Sequence, residues 1–479
     1  MARLFGTAGI RGRYLEKVYP ELAYRLGLAV AFYVGGIGTV TVGHDIRTTS
    51  PLLSQLAAAG LMAGGVDAIY LEMVPTPVLA YSVSHTGSKS GIMVTASHNP
   101  PQDNGLKVFD EKGMEYTESM ERDLESLIGL SDTSRLHASW DKVGRLVIGN
   151  EVQSRYIRDI IELMEEGREP LRKPKIAVDC ANGAASGVTP RIMRALGADV
   201  ISLNCHPDGT FPGRSPEPRS DVLEPYAVSV SKLGVEALLA HDGDADRLAL
   251  VIPEYGFVKQ DLLIALFAKE KLKDRSGTIV VSVDVGLEVE EIVESMGGRI
   301  VRAKLGKIHE KLRDIPGALL GAEPWKLIDP EWGLWVDGIY EAALIAKIAS
   351  SSKKRLVDLF RELPFYPSAR VSLKVPSDDD KERLYGFVRE RLINELGRGH
   401  VYISELDGVK IRWDNGSWIL LRKSGTESKI RLYMQSREKK GLTDLLNKAK
   451  DIVLKEARVN GVPITGMEEH VSLERLGDN

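Results

Sequence analysis

Cysteine is nearly absent from the 479 residues, since Cys180 and Cys205 are the only two. Two thiols in a chain of this length make no disulfide framework, and their spacing is not that of a zinc site. They read as buried or inert thiols of a reducing cytosol. An excess of charge of either sign is missing as well. The formal net charge of −4 offers no general attraction to nucleic acid or to an acidic membrane surface. Anion binding therefore has to come from local placement of Lys and Arg. Long apolar runs are also lacking. One uncharged, mostly apolar stretch, residues 26–43, holds 18 residues, but five of them are glycine. Gly35 and Gly36 divide it into a short helix, a turn and the strand TVTVG, which is not the pattern of a membrane span. The opening MARLFGTAGIRG has no apolar segment with a small-residue cleavage site behind it, so it is not a secretory signal. A cytoplasmic protein is expected, with neither membrane nor nucleic acid as its partner.

What is present is an ordinary globular composition, 43% hydrophobic and 27% charged, in a chain long enough for three or four domains. One pattern occurs three times. LMAGGVDAIYL, IMRALGADVISL and IVESMGGRIVRA each end an amphipathic helix, turn at Gly or Ala and enter a strand. Each follows an earlier strand, in TVTVGHD, KIAVDC and TIVVSVD, so the units are strand, helix, strand. Such units favour mixed or parallel sheets covered by helices on both faces. Each repeat continues into a short apolar strand that breaks into a polar loop, in GIMVTASHNP, EALLAHDGDADR and GALLGAEPWK. Ligands of open α/β sheets gather beyond the carboxyl ends of strands, so these three equivalent loops are expected to frame one central cleft. After Pro364 the texture changes to strands, an Asp-Gly turn and a terminal helix, which reads as a smaller α+β domain. The expected fold is three similar α/β domains with mixed sheets plus a C-terminal α+β domain. The expected limits are 1–150, 151–253, 254–365 and 366–479.

The loops carry the chemistry. HDGDADR sets Asp242, Asp244 and Asp246 at alternate positions after an apolar strand, followed by Arg247. Three carboxylates this close repel one another unless a cation lies between them, and hard oxygen ligands suit Mg²⁺ or Ca²⁺. An EF-hand is excluded, because counting from Asp242 puts Arg247 where its glycine belongs and Pro253 where its bidentate Glu belongs. Mg²⁺ shared with a phosphate fits best. Ser97 lies in no G-x-S-x-G elbow, so acyl hydrolysis has little support. A serine oxygen held beside Mg²⁺ is better suited to accept a phosphoryl group and return it. Lys107 in DNGLKVF is expected to come back to the same place after an Asn-Gly turn and, with a depressed pKa, to act as general acid or base. In RKSGTESKIR, the residues Arg422, Ser424, Thr426 and Arg431 with the Gly425 amide suit a phosphate monoester. LGKI is no P-loop and GGIGTVT no dinucleotide fingerprint, so ATP and NAD are not implied.

Taken in order, FGTAGIRG, TASHNP, DGDADR and RKSGTESKIR resemble the four signature loops of the α-D-phosphohexomutase family, one per domain. The resemblance covers nearly the whole chain. It implies a phosphoserine at Ser97, a metal held by Ser97, Asp242, Asp244 and Asp246, and Arg11, Lys107, Arg247 and His98 around the transferring group. It implies a non-transferring phosphate held by Arg422, Ser424, Gly425, Thr426 and Arg431, and a sugar bisphosphate as intermediate and activator. The implied partner is a small sugar phosphate, a hexose or hexosamine phosphate first, and the implied assembly a monomer or small homo-oligomer. The chain departs from the family in the third loop. Where many members read Glu-x-Ser-Gly-His, this one has Glu323-Pro324-Trp325-Lys326, keeping the glutamate and offering Lys326 in place of the hydroxyl readers. That change makes a phosphopentomutase on the same scaffold the nearest alternative, and a metal-dependent sugar phosphatase, in which water takes the phosphate from Ser97, is an alternative of another class.

Overall fold

A computed structural model describes residues 4–6, 9–167, 169–399, 401–425 and 427–474. The chain forms two compact units, Met1–Gln260 with Trp325–Phe360 and Asp261–Pro324 with Arg361–Asn479. The four-domain α/β architecture is present, with two α/β sheets in the first unit and, in the second, an α/β sheet and an antiparallel sheet.

In the first unit, one sheet runs in the order Ile10–Arg13, Asp103–Asp110, Ser90–Val94, Thr39–His44, Asp67–Met73, Leu146–Ile148. Thr39–His44 is parallel to both of its neighbours, whereas Asp103–Asp110 is antiparallel to both of its own. The second sheet repeats the plan in the order Gly256–Phe257, Leu248–Ile252, Ala237–His241, Lys175–Asp179, Asp199–Leu203. Its last three strands are parallel and its first two antiparallel additions. Every residue of Ser90–Val94 and of Ala237–His241 is buried. Apolar runs with no polar alternation need cover on both faces, and helices supply it. The helix Gly338–Ser351 is started by Asp337, which accepts the amides of Ile339 and Tyr340 and also Tyr156 Oη, Trp332 Nε1 and Trp335 Nε1.

In the second unit, Arg299–Ala303, Thr278–Ser282 and Leu320–Glu323 lie parallel in that order. The C-terminal sheet is antiparallel throughout, in the order Val401–Ser404, Val409–Trp413, Trp418–Lys423, Lys429–Gln435, Ser368–Lys374, Gly466–Ser472. Its core is closed by Leu384, Val388 and Leu392 from the helix Asp378–Leu396 and by Leu442, Ile452 and Val453 from the helix Lys439–Val459.

The uncharged stretch 26–43 is the end of the helix Pro20–Tyr33, a glycine turn and the strand Thr39–His44. No helix among the described residues is long and apolar enough to cross a membrane. Two local expectations are overturned. Asn104-Gly105 is not a turn but lies inside the strand Asp103–Asp110. Glycine is needed there because a Cβ would come within 2.4 Å of the Thr95 carbonyl oxygen and 2.7 Å of that of Ile10. The two cysteines, expected as separate thiols, are joined in a disulfide. Cys180 directly follows Lys175–Asp179 and Cys205 comes two residues after the end of Asp199–Leu203, parallel neighbours whose register brings the two Cα atoms to 4.9 Å.

Unfolded without reductant, the protein should therefore titrate no free thiol. Cys205→Ser should lower unfolding free energy by about 3 kcal/mol for a crosslink of 25-residue separation. Two reactive thiols in the unreduced, unfolded chain would refute the pairing.

Candidate active site

The site in the first unit is built at the ends of two equivalent strands. Ser90–Val94 ends before Thr95, and the chain then turns through Ser97, whose φ of 51° is left-handed. A serine keeps that conformation only where its surroundings enforce it. The Ser97 amide donates to Thr95 Oγ1 at 2.8 Å, and Thr95 Oγ1 donates to Asp45 Oδ2 at 2.7 Å. The Ser97 carbonyl accepts from Arg47 Nη2 at 2.8 Å. Ala237–His241 delivers the aspartate loop in the same way, with Ala245 at φ 62°. Gly243 is what lets the two loops meet, because a Cβ there would stand 2.6 Å from the Ser97 carbonyl oxygen.

The consequence is one buried constellation. Ser97 Oγ donates to Asp242 Oδ2 at 2.7 Å and lies 3.2 Å from His98 Nδ1. Asp242, Asp244 and Asp246 are all buried, with one carboxylate oxygen of each within 4.8 Å of the others. Asp244 Oδ2 accepts from Thr76 Oγ1 at 2.6 Å and from Lys107 Nζ at 2.9 Å, and Asp246 Oδ2 from Lys107 Nζ at 2.7 Å. Arg247 Nε stands 3.9 Å from Asp246 Oδ1.

The charges are unevenly settled. Burial, then Asp246 and Asp244, push the Asp242 carboxyl well above the usual carboxylate range. Burial would raise Asp246 too, but Lys107 and Arg247 outweigh it and hold that carboxyl low. Burial opposes the charge on Lys107, yet Asp244 and Asp246 prevail and keep it an ammonium. The expectation of a lysine with depressed pKa is thereby overturned, since two carboxylates in direct contact favour its charged form more than burial disfavours it. Burial, with Arg247 and Arg11, keeps His98 neutral. Asp244 Oδ1 and Asp246 Oδ1 are buried and hydrogen-bond to nothing among the described residues. Three crowded carboxylates, two with unsatisfied oxygens and one raised by the others, fit a hard divalent cation.

Arg11 lies in Ile10–Arg13, paired with Gly105, and its buried Nε has no hydrogen-bond partner among the described residues. Lys326 opens the strand Lys326–Ile328 and is half-buried. Trp325 before it has φ 73°, donates its amide to Gln260 Oε1 at 3.1 Å and packs against the Phe257 ring.

In the second unit, Glu323 is buried and its Oε2 accepts the Gly306 amide at 2.6 Å. Arg422 and Arg431 are register partners on neighbouring strands of the C-terminal hairpin. Like charges directly opposed are unfavourable, and an anion relieves them. Ser424 is buried, Gly425 is exposed, and Lys381 Nζ reaches the Ser424 carbonyl at 3.2 Å from the helix Asp378–Leu396. Thr426 lies outside the described residues.

Sequence reasoning passed over Arg47 and Asp45. Arg47 is fully buried, donates Nε to Asp45 Oδ2 at 3.0 Å, and gives Nη1 and Nη2 to the carbonyls of Ser97, Asn99, Pro100 and Asp103. The available signal was an Asp at or just past the end of the first strand of each repeat, Asp45, Asp179 and Asp284. Asp179 likewise holds a buried arginine, Arg214, at 3.0 Å. Thr76, which orients Asp244, and Glu341 carried no local signal. Burial, then Asp337, Asp246 and Asp242, raise the Glu341 carboxyl well above its ordinary value.

Known proteins give this geometry its relatives. Models of the phosphoglucomutase/phosphomannomutase α/β/α domains I, II and III match residues 2–134, 154–256 and 259–366, and that of the C-terminal domain matches 374–452. The chain belongs to the phosphoglucomutase/phosphomannomutase family, within the α-D-phosphohexomutases. Its enzymes are phosphomutases, intramolecular phosphotransferases. A phosphopentomutase of Thermococcus kodakarensis is 39% identical over 93% of this chain and 97% of its own. A probable phosphoglucosamine mutase of Methanobrevibacter smithii is 38% identical over 91% and 95%. A solved phosphoglucomutase/phosphomannomutase family protein from Burkholderia thailandensis shares the fold with a TM-score of 0.83 at 24% identity, over 97% of this chain and 99% of that one.

Arg47→Met should strip the serine loop of this mutase of its four carbonyl contacts and leave Asp45 buried without its cation. The expected cost is about 3–5 kcal/mol of stability, with near-complete loss of turnover. Wild-type melting temperature and activity in that variant would show that the loop is held by other means.

Proposed function

We propose that this chain is a Mg²⁺-dependent phosphosugar mutase acting through a phosphoserine at Ser97. On this reading it moves phosphate between the 1-position and the terminal carbon of a hexose or hexosamine phosphate, with a sugar bisphosphate between the two half-reactions. The observation that carries the reading is Ser97 Oγ on Asp242, beside three buried carboxylates of which two keep an unpaired oxygen. Mg²⁺ bound to Ser97 and the three aspartates would supply a Lewis acid for the charge on the transferring oxygens.

The chain's own residues do the rest. The Ser97 Oγ–P bond breaks as a sugar oxygen bonds to phosphorus. Lys107 and Arg247, both cationic, balance the charge of the phosphoryl group, and Arg11 adds a third cation. As the sugar hydroxyl attacks, its proton passes to the free ring nitrogen of His98, which rests neutral beside Ser97 Oγ, and it returns to the sugar oxygen in the reverse step. Arg422, Ser424, Gly425 and Arg431, with Thr426, hold the other phosphate, and Glu323 and Lys326 read the sugar. The functional domain limits follow at residues 150, 253 and 365. A sugar phosphate substrate, charged and confined by membranes, suits a cytoplasmic enzyme.

A second reading keeps the chemistry and changes the sugar to a pentose. It is favoured by Trp325, which packs on Phe257 and Gln260 where many family members carry a hydroxyl-reading serine. Phosphopentomutase and phosphoglucosamine mutase relatives are almost equally similar, so identity alone does not choose.

The deciding experiment is ³¹P NMR of the protein with Mg²⁺, a trace of sugar bisphosphate and, in turn, the 1-phosphates of glucose, mannose, glucosamine and ribose. Conversion of one 1-phosphate into its terminal ester is expected and names the sugar, while inorganic phosphate alone would mean a phosphatase. Ser97→Ala should abolish transfer and spare sugar phosphate binding, and full activity there would sink the phosphoserine. Asp244→Ala should lower the rate and blunt its response to added Mg²⁺, whereas an unchanged Mg²⁺ titration would move the ion elsewhere.

A further inference from the structure

The second unit holds a link that the proposed reaction does not itself require. Asp407 lies in the turn between Val401–Ser404 and Val409–Trp413, ahead of Gly408 at φ 84°. Its Oδ2 accepts Arg422 Nε at 2.6 Å and the Leu305 amide at 3.0 Å. The next amide, of Gly306, donates to Glu323 Oε2 at 2.6 Å. One carboxylate oxygen therefore joins the arginine of the phosphate loop to the peptide that fixes the buried glutamate of the third loop. The path is short and made of hydrogen bonds to charged groups, the stronger kind.

The direction of the Arg422 contact matters. Asp407 takes Nε, and the two terminal nitrogens make no hydrogen bond among the described residues, so the fork stays available for two phosphate oxygens. Asp407, Arg422, Ser424, Gly425, Lys381 and Tyr385 line a cavity of about 350 Å³. A free arginine side chain has many rotamers, and fixing it before the ligand arrives removes that entropy from the cost of binding.

We propose that Asp407 is a specificity-determining positioning residue, which sets the span between the phosphate held by Arg422 and the sugar hydroxyl read by Glu323. This rests on the roles given above to Arg422 and Glu323. A furanose 5-phosphate and a pyranose 6-phosphate differ by one ring atom, and so in the distance from phosphate to ring hydroxyls. With Arg422 bound to that oxygen and Glu323 held by the amide next to the one it accepts, only a sugar of matching span meets both at once. Cut the link, and each reader adjusts by itself, so discrimination falls.

The test is calorimetric titration of glucose 6-phosphate and ribose 5-phosphate into the full chain, wild type and D407N. The asparagine keeps an acceptor for Leu305 and loses the charge on Arg422. Wild type should bind one sugar at least about tenfold more tightly than the other. In D407N both dissociation constants should weaken by roughly 10- to 100-fold, as expected for a lost charged hydrogen bond, and their ratio should fall to within about threefold. D407E, which keeps the charge on a longer arm, should retain affinity and shift the ratio. A wild type that does not discriminate, or a ratio unchanged in D407N and D407E, overturns the proposal. Turnover of the wild type in the ³¹P experiment reports on the mutase reading separately, because the ratio is a property of binding alone.

Discussion

The serine loop depends on one fully buried guanidinium. Arg47 spends its N–H groups on Asp45 and on four carbonyls of a single loop, and it lies over the Phe211 ring. A buried charge is tolerated only when paired and hydrogen-bonded, and this one is. Those bonds hold Ser97 in a backbone conformation that a serine disfavours, and from there its hydroxyl reaches Asp242. The aim of the Ser97 hydroxyl is thus set by a residue 50 positions away in sequence.

The aspartate loop adds an electrostatic constraint. Three carboxylates are gathered where burial penalises every charge, and Lys107 with Arg247 offsets only part of it. Lys107 stays charged because Asp244 and Asp246 favour the ammonium more than burial disfavours it. His98 beside Ser97 is neutral, and Lys107 beside Asp244 is charged. Their environments, and not their residue types, make the division.

In the second unit several loops are fixed by side chains bonded to backbone amides and carbonyls. Lys381 takes carbonyls of the phosphate loop, Lys410 that of Val283, and Asp407 the amide of Leu305. Lysines and aspartates used in this way fix where a loop lies, while Arg422 and Arg431 face each other across a hairpin, each with a carboxylate partner of its own, Asp407 and Glu427.

The repeats, the strand ends, Ser97, the three aspartates and the hairpin loop with its arginines were legible in the sequence. Each depends on spacing within about a dozen residues, where periodicity and local chemistry act. The roles of Arg47, Thr76 and Asp407, the joining of Cys180 to Cys205, the strand position of Asn104-Gly105 and the charge of Lys107 were not. Each depends on which segments become neighbours, through parallel strand register in the case of the cysteines and a long-range carboxylate contact in that of Lys107. The sequence by itself determined which groups are supplied to the strand ends. The tertiary structure decided which of them touch, and contact in a buried, low-dielectric setting decides charge and orientation.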